Sequence, residues 1–167
     1  MHVILMAVGE DRPGLASSLA EAIAGAGGNW LESHFARLGG KFVGSVFVEL
    51  PANRQAQLDE ALAAMNAAGF QVTSVPSGES VPQGGQSFTF EIVGADRPGI
   101  VREVSAALAA LHVNIDELES ETEPGAMSGE PLFRARARVQ VPDGTPIAHV
   151  RQALERISGE IMVDFEG

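Results

Sequence analysis

The feature that most constrains the fold is a six-residue stretch that the chain contains twice. Gly9–Gly14 (GEDRPG) returns as Gly94–Gly99 (GADRPG), a shift of 85 residues. The same shift aligns Asn29 with Asn114 without a gap, and the apolar spacing after each motif repeats as well. A shift of this length exceeds the ~20–50 residues of a solenoid repeat. The chain is therefore predicted to contain two copies of one domain.

Each copy is predicted to run strand, helix, strand, strand, helix, strand, because alternating and helically spaced apolar residues follow one another in that order. The first copy has strands near residues 2–8, 29–38, 41–50 and 71–75 and helices near 13–25 and 54–68. The second has strands near 88–94, 114–122, 132–141 and 160–165 and helices near 98–111 and 146–157. With both helices on one face, this order predicts an α+β, ferredoxin-like domain with a four-stranded antiparallel sheet.

Domain boundaries follow from the segment between the copies. Residues 76–86 contain two prolines, three glycines and two serines, a composition typical of a connector. We therefore expect domains at 1–75 and 87–167. In the second copy the alignment shift rises to 91 after the second strand, so six extra residues lie in a loop containing Pro124, Gly125, Gly129 and Pro131. Such a loop is expected to be mobile or to make contacts.

Composition excludes several functional classes. The net charge is −11 with only 11 Lys and Arg residues, whereas nucleic-acid-binding proteins need a basic surface for phosphate contacts. No direct nucleic-acid binding is expected. The chain has no cysteine, which excludes disulfides and thiolate chemistry. No apolar run approaches the ~20 residues that cross a bilayer, and no basic leader precedes the first strand, so a cytoplasmic protein is expected.

Catalytic motifs are missing from the sequence. No Gly-x-Ser-x-Gly or Walker-type loop occurs. The four histidines have no metal-ligand spacing and do not recur between the copies: His2, His34, His112 and His149. We therefore expect no enzyme activity, no catalytic residue, no metal and no cofactor. The alternating glutamates of residues 117–123 are typical of a solvated strand face, or of one that contacts a basic partner.

The outward-facing sheet positions differ between the copies. Arg134, Arg136 and Arg138 alternate with apolar residues, which indicates a solvent-exposed face in the second copy. Their aligned residues in the first copy are Val43, Ser45 and Phe47. Valine and phenylalanine are poorly suited to water, so this face is predicted to be covered by a partner domain or by another chain.

A strand, then Gly-x-Asp-Arg-Pro-Gly opening a helix, then an asparagine 18 residues after the aspartate resembles the ACT domain family. That family comprises small regulatory modules that bind amino acids. The resemblance covers both halves and all of the chain except the connector. A pair of ACT domains without a catalytic domain further implies a glycine-responsive repressor of the glycine cleavage system. Such a repressor would act through a DNA-binding protein partner.

The resemblance implies that an amino acid is held between domains by loop and strand residues. The implied ligand-binding residues are Asp11, Arg12, Pro13, Gly14, Asn29, Asp96, Arg97, Pro98, Gly99 and Asn114. The aspartates would receive the ammonium group, the helix N-terminus the carboxylate, and the asparagines would add hydrogen bonds from a neighbouring domain. In the alternative interpretation, the aspartates only cap helices and the asparagines only form turns. If the loops do bind a ligand, either one loop or both could be active.

The expected partners are a small amino acid, with glycine or serine first, and a protein such as a DNA-binding regulator. A homo-oligomer is also compatible with the apolar sheet face. Two other functions stay open at this point. One is an ACT-type regulatory subunit that controls a metabolic enzyme, and the other is a structural dimerisation module with vestigial ligand sites.

Overall fold

The computed structural model describes residues 1–79, 81–82, 84–127 and 129–166. Four residues named in the predicted connector, inserted loop and second domain lie outside the described residues: Ser80, Gln83, Ser128 and Gly167. The chain divides into two compact units, Met1–Ser80 and Val81–Gly167. The repeat found in the sequence thus corresponds to two separately packed units.

The first unit contains the elements β1 (His2–Glu10), α1 (Leu15–Gly25), β2 (Asn29–Leu38), β3 (Lys41–Glu49), α2 (Gln55–Ala67) and β4 (Gln71–Pro76). Its strands form one sheet in the order β2-β3-β1-β4, and every neighbouring pair is antiparallel. The central strand β1 therefore pairs with strands that lie both before and after the second helix. This is the predicted ferredoxin-like topology.

The second unit repeats this arrangement with β5 (Gln86–Ala95), α3 (Ile100–Ala110), β6 (Asn114–Pro124), β7 (Pro131–Val141), α4 (Ile147–Glu155) and β8 (Met162–Glu166). The strand order is β6-β7-β5-β8, again antiparallel throughout. The predicted α+β fold is therefore confirmed in both units.

One hydrophobic core in each unit lies between the helices and one face of the sheet. Along β1 the buried residues alternate, so that Val3, Leu5 and Ala7 share the inner face as predicted. They belong to one cluster with the buried stripes of both helices, including Leu19 and Leu58. The second unit has an equivalent cluster of its own. Each unit buries its own core against one face of its sheet, so the other face of each sheet lies outside that core.

Both N-terminal helices begin later than the sequence suggested. The predicted starts at Pro13 and Pro98 are wrong, since α1 begins at Leu15 and α3 at Ile100. The helix N-caps are Gly14 with φ of 125° and Gly99 with φ of 89°, which glycine adopts readily and other residues rarely.

The interpretation of the two aspartates as helix caps is also wrong. Neither α1 nor α3 has a hydrogen bond from a capping side chain. Because glycines occupy the cap positions, Asp11 and Asp96 lie three residues before the cap, and the Asp11 carboxylate pairs with Arg37 instead.

The two middle hairpins differ as the sequence indicated. Gly39 and Gly40 have φ of 57° and 78°, and two successive positive φ values define the tight turn predicted between β2 and β3. The second hairpin is longer than predicted, because β6 and β7 continue to a pair between Pro124 and Pro131. Both prolines had been expected in the loop. The inserted residues thus lengthen the hairpin beside the β5–α3 loop.

The outer faces of the two sheets differ strongly. In the second unit three arginines of β7 pair with glutamates of the other three strands: Arg134 with Glu91 and Glu123, Arg136 with Glu166, and Arg138 with Glu117. In the first unit Val43 and Phe47 are half-buried, His2 stacks on Phe47 at 5.2 Å, and Met6 is 47% exposed. The outer face of the second sheet therefore carries a row of ion pairs, whereas the outer face of the first sheet is largely apolar.

Candidate functional site

The loop between β1 and α1 forms one wall of an open pocket of about 330 Å³. The β2–β3 hairpin forms the other wall, and the register of the sheet places it there. Glu10 at the end of β1 pairs with Lys41 at the start of β3, so the β2–β3 turn lies beside the loop. The pocket lining consists of Asp11, Arg12, Pro13, Gly14, Leu15 and Ala16 from the loop and helix, with Arg37 and Phe42 from the hairpin. Four predicted site residues thus come together here.

Charged groups of both signs surround this pocket. Asp11 Oδ1 lies 3.2 Å from Arg37 Nε, and the Arg37 side chain is 78% exposed. The Arg12 guanidinium lies over the ring of Phe70, 5.6 Å from its centroid. Beside the pocket, Lys41 hydrogen-bonds to Glu10 and so holds the pKa of that carboxyl below its usual value. The pocket itself combines one carboxylate with two guanidinium groups.

The backbone adds polarity to the same pocket. The carbonyl of Gly14 accepts the first helical hydrogen bond of α1, from the Ser18 N–H at 2.8 Å. The N–H groups of the first turn have no partner within a helix, and they carry the positive end of the helix dipole. Among the described residues no side chain caps α1, so these donors keep no side-chain partner at the loop. A ligand carboxylate would suit this position.

The loop between β5 and α3 has the same motif in different surroundings. Arg97 forms two parallel hydrogen bonds to Glu103 of α3, at 2.9 Å and 2.5 Å. This contact lowers the pKa of Glu103 and raises the pKa of Arg97, in each case mainly through the hydrogen bond between them. The Asp96 N–H donates to the Pro131 carbonyl at 2.9 Å. The second loop is therefore held by its own side chains and by the long hairpin.

Aligned positions explain why the two loops differ. Arg37, which faces Asp11, aligns with Thr122, and Ser18 of α1 aligns with Glu103. Phe70, which supports Arg12, aligns with Ile161 at the shift of 91. Arg37 is the residue that sequence reasoning missed. It lies outside the repeated motif. The sequence signal for it is that the aligned residue of the second copy, Thr122, is uncharged.

The predicted asparagines lie far from the loops of their own units. Asn29 pairs with Glu49, which in turn pairs with His2, whereas Asp11 follows the opposite end of β1. Asn114 occupies the equivalent end of the second sheet. No unit therefore brings its aspartate and its asparagine together. A site that contains both residue types needs an asparagine from another domain.

Two features are absent from the part of the chain that the structure describes. No group of three or more histidine, aspartate or glutamate side chains there lies close enough to hold a metal ion. No helix within the same residues is long and apolar enough to cross a membrane.

Comparison with known families decides the class of these two units. Sequence models of the ACT domain match residues 1–73 and residues 88–159. The chain belongs to the ACT domain family. The two matches lie one in each compact unit, so the protein is a tandem pair of ACT domains.

Characterised relatives match nearly the whole tandem pair. The glycine cleavage system transcriptional repressor of Escherichia coli is 23% identical over 163 residues, which are 96% of this chain and 85% of the repressor. The phosphoserine phosphatase SerB2 of Mycobacterium tuberculosis is 29% identical over 170 residues and 98% of this chain. The ACT tandem spans only 40% of the length of that phosphatase.

Solved structures share the fold of the whole chain. An unknown protein from Galdieria sulphuraria has a TM-score of 0.78 and 31% identity, covering 99% of this chain and 96% of its own. A crystal structure assigned as a glycine cleavage system transcriptional repressor has a TM-score of 0.74 and 18% identity over the same shares. This ACT tandem is thus a regulatory protein related to the glycine cleavage repressor.

Proposed function

We propose that this ACT tandem is an amino-acid-sensing regulator that binds its ligand at the Asp-Arg-Pro-Gly loops. The observation that carries the proposal is the pocket of the first unit, where Asp11 and Arg37 lie 3.2 Å apart beside the N-terminus of α1. An α-amino acid carries an ammonium and a carboxylate group on adjacent atoms. The aspartate suits the first group, and the guanidinium and helix N–H groups suit the second.

The proposed ligand is small, with glycine and serine as first candidates. The loop side of the pocket includes Pro13, Gly14 and Ala16, which present little surface to a long side chain. Both candidates also fit the names of the relatives, since one represses a glycine-degrading system and the other releases serine from phosphoserine. The asparagines Asn29 and Asn114 would complete a site only across domains.

The proposed output is transcriptional repression of the glycine cleavage system through a protein partner. Likeness to the repressor over 96% of the chain supports this output. The net charge of −11 favours contact with a protein over contact with DNA. The ligand would shift the population of two arrangements of the cytoplasmic protein and so change the surface that the partner meets.

A second candidate function is regulation of a metabolic enzyme in trans. The observation that favours it is the 29% identity to a phosphoserine phosphatase, an enzyme that contains such a tandem within a longer chain. Capture of partners on the immobilised protein, with and without serine or glycine, separates the candidates. A DNA-binding regulator supports the repressor, and a biosynthetic enzyme supports the regulatory subunit.

Calorimetric titration of the purified protein with the twenty amino acids tests the sensing proposal. We expect saturable binding of glycine or serine, and loss of that binding when Asp11→Ala is combined with Asp96→Ala. If the folded protein binds none of the twenty amino acids, the sensing proposal is rejected. The remaining interpretation is then a structural dimerisation module with vestigial loops.

A further inference from the structure

We propose that only the first of the two loops binds the amino acid, and that Arg37 receives its carboxylate group. This inference rests on the proposed function and extends it, because the repeated motif by itself predicts two equal sites. Arg37 lies at the end of β2, outside that motif. The structure places it against the pocket that Asp11 lines.

The contact between Asp11 and Arg37 is suited to opening around a ligand. Both side chains are substantially exposed, at 39% and 78%, and exposed ion pairs contribute little to stability. An amino acid inserted between them would place its ammonium group on the Asp11 carboxylate and its own carboxylate on the Arg37 guanidinium. Each charge would exchange one partner for another, so little electrostatic energy is lost on opening.

Arg37 is better placed for this role than the arginine of the motif. The Arg12 guanidinium packs on the Phe70 ring, 5.6 Å from its centroid, which fixes it at one side of the pocket. Arg37 contacts the carboxylate that the ligand ammonium would use. Its planar guanidinium can donate two parallel hydrogen bonds to one carboxylate.

The second loop lacks this arrangement at each aligned position. Thr122 stands where the first unit has Arg37, so no guanidinium faces Asp96 from the strand. Arg97 is already bound at both nitrogens by Glu103, at 2.9 Å and 2.5 Å. To reach Arg97, a ligand carboxylate would have to displace the carboxylate of Glu103, which belongs to the first turn of the following helix α3. At the second loop Glu103 therefore competes with a ligand carboxylate for Arg97.

Titration of the full chain with glycine and with serine measures both parts of the inference. We expect one ligand bound per chain. Arg37→Met should weaken binding about tenfold or more, since a charge-assisted contact is lost, and Arg37→Lys should fall between that variant and wild type. The matched control is Arg54→Met, an exposed arginine whose side chain donates a hydrogen bond to Gln57 of its own helix region. It should bind like wild type.

Amide chemical shifts locate the ligand independently of affinity. The expected perturbations lie in residues 11–16 and around Arg37, with none in residues 96–101. Two ligands per chain, perturbations in both loops, or equal affinity of Arg37→Met and Arg54→Met would overturn the inference and leave the proposed function standing. Wild-type protein that binds neither amino acid would overturn both.

Discussion

At the residue scale, Gly44 shows how a small side chain permits the aromatic packing of the first unit. A Cβ atom at this position would lie inside van der Waals contact with the Phe35 ring and the His34 carbonyl oxygen. Phe35 stacks between Trp30 and Phe42, with ring centroids 6.1 Å and 5.2 Å away. The row of rings borders the candidate pocket, since Phe42 lines it. Gly44 thus permits the ring packing that borders the pocket.

Gly44→Ala is expected to lower the free energy of unfolding by about 2–3 kcal/mol, because the added methyl group forces the ring and backbone apart. Urea denaturation measures the change. Gly25→Ala is the matched control, since no atom lies within 4 Å of a Cβ there. It should be neutral or stabilise by up to about 1 kcal/mol. Equal effects of the two substitutions would show that Phe35 does not pack on Gly44.

The residue scale is also where sequence reasoning was least complete. The motif residues of the first loop were found because they repeat, and the structure brings Asp11, Arg12, Pro13 and Gly14 to one pocket. Arg37 was not found, because its proximity to Asp11 depends on strand register and turn geometry. Sequence spacing alone does not contain that information.

At the element scale, hydrophobic periodicity predicted every helix and strand, with errors confined to the ends. Apolar spacing reflects burial against the sheet, so it predicted the buried faces of the helices correctly. Helix starts depend on local backbone conformation. Gly14 and Gly99 adopt positive φ and shift both starts beyond the prolines. The continuation of β6 and β7 to Pro124 and Pro131 was missed because proline is typical of loops.

The salt bridge between Arg97 and Glu103 ties a loop to the first helical turn that follows it. The hydrogen bond from Arg97 lowers the pKa of Glu103 below the ordinary value of 4.5 in the folded protein. A depressed folded-state pKa stabilises the fold above the unfolded-state pKa, and the stabilisation is lost as pH falls through the lower value.

Glu103→Gln should therefore lower the thermal midpoint at pH 7 and leave it nearly unchanged once the wild-type carboxyl is protonated, below the folded-state pKa. Calorimetric scans of both proteins from pH 7 to pH 2.5 measure the difference. The effect is expected to be small, because both side chains are more than a third exposed to solvent screening. A difference that persists undiminished at the acidic end would contradict an electrostatic origin.

At the scale of the whole molecule, duplication has produced two units with one fold and different surfaces. The second unit pairs its outer arginines with glutamates, while the first exposes Met6 and leaves Val43 and Phe47 half-buried. The proposed division is a ligand-sensing first unit and a second unit that keeps the fold but does not bind the ligand. The proposed boundaries remain 1–75 and 87–167, with 76–86 as connector.

Replacing Val43 and Phe47 together by arginine tests whether the apolar face is an assembly surface. The fold should tolerate the change, since Arg134 and Arg138 occupy the aligned positions of the second sheet. We expect wild-type protein to be larger than a monomer by light scattering, and the double variant to be monomeric. Val101→Arg, at a side chain 41% exposed elsewhere, should not change the mass. A wild-type monomer would assign the face to a different protein partner.

The central claim is that the protein recognises the zwitterion of a small amino acid. Its most direct test is the thermal unfolding midpoint with glycine or serine, compared with glycinamide, which lacks the carboxylate, and acetate, which lacks the ammonium group. Ligand at 100 times its dissociation constant stabilises the folded state by about 2.7 kcal/mol. The account predicts that at least one of the two amino acids raises the midpoint, while glycinamide and acetate do not. An unchanged midpoint, or an equal rise with all four compounds, would contradict it.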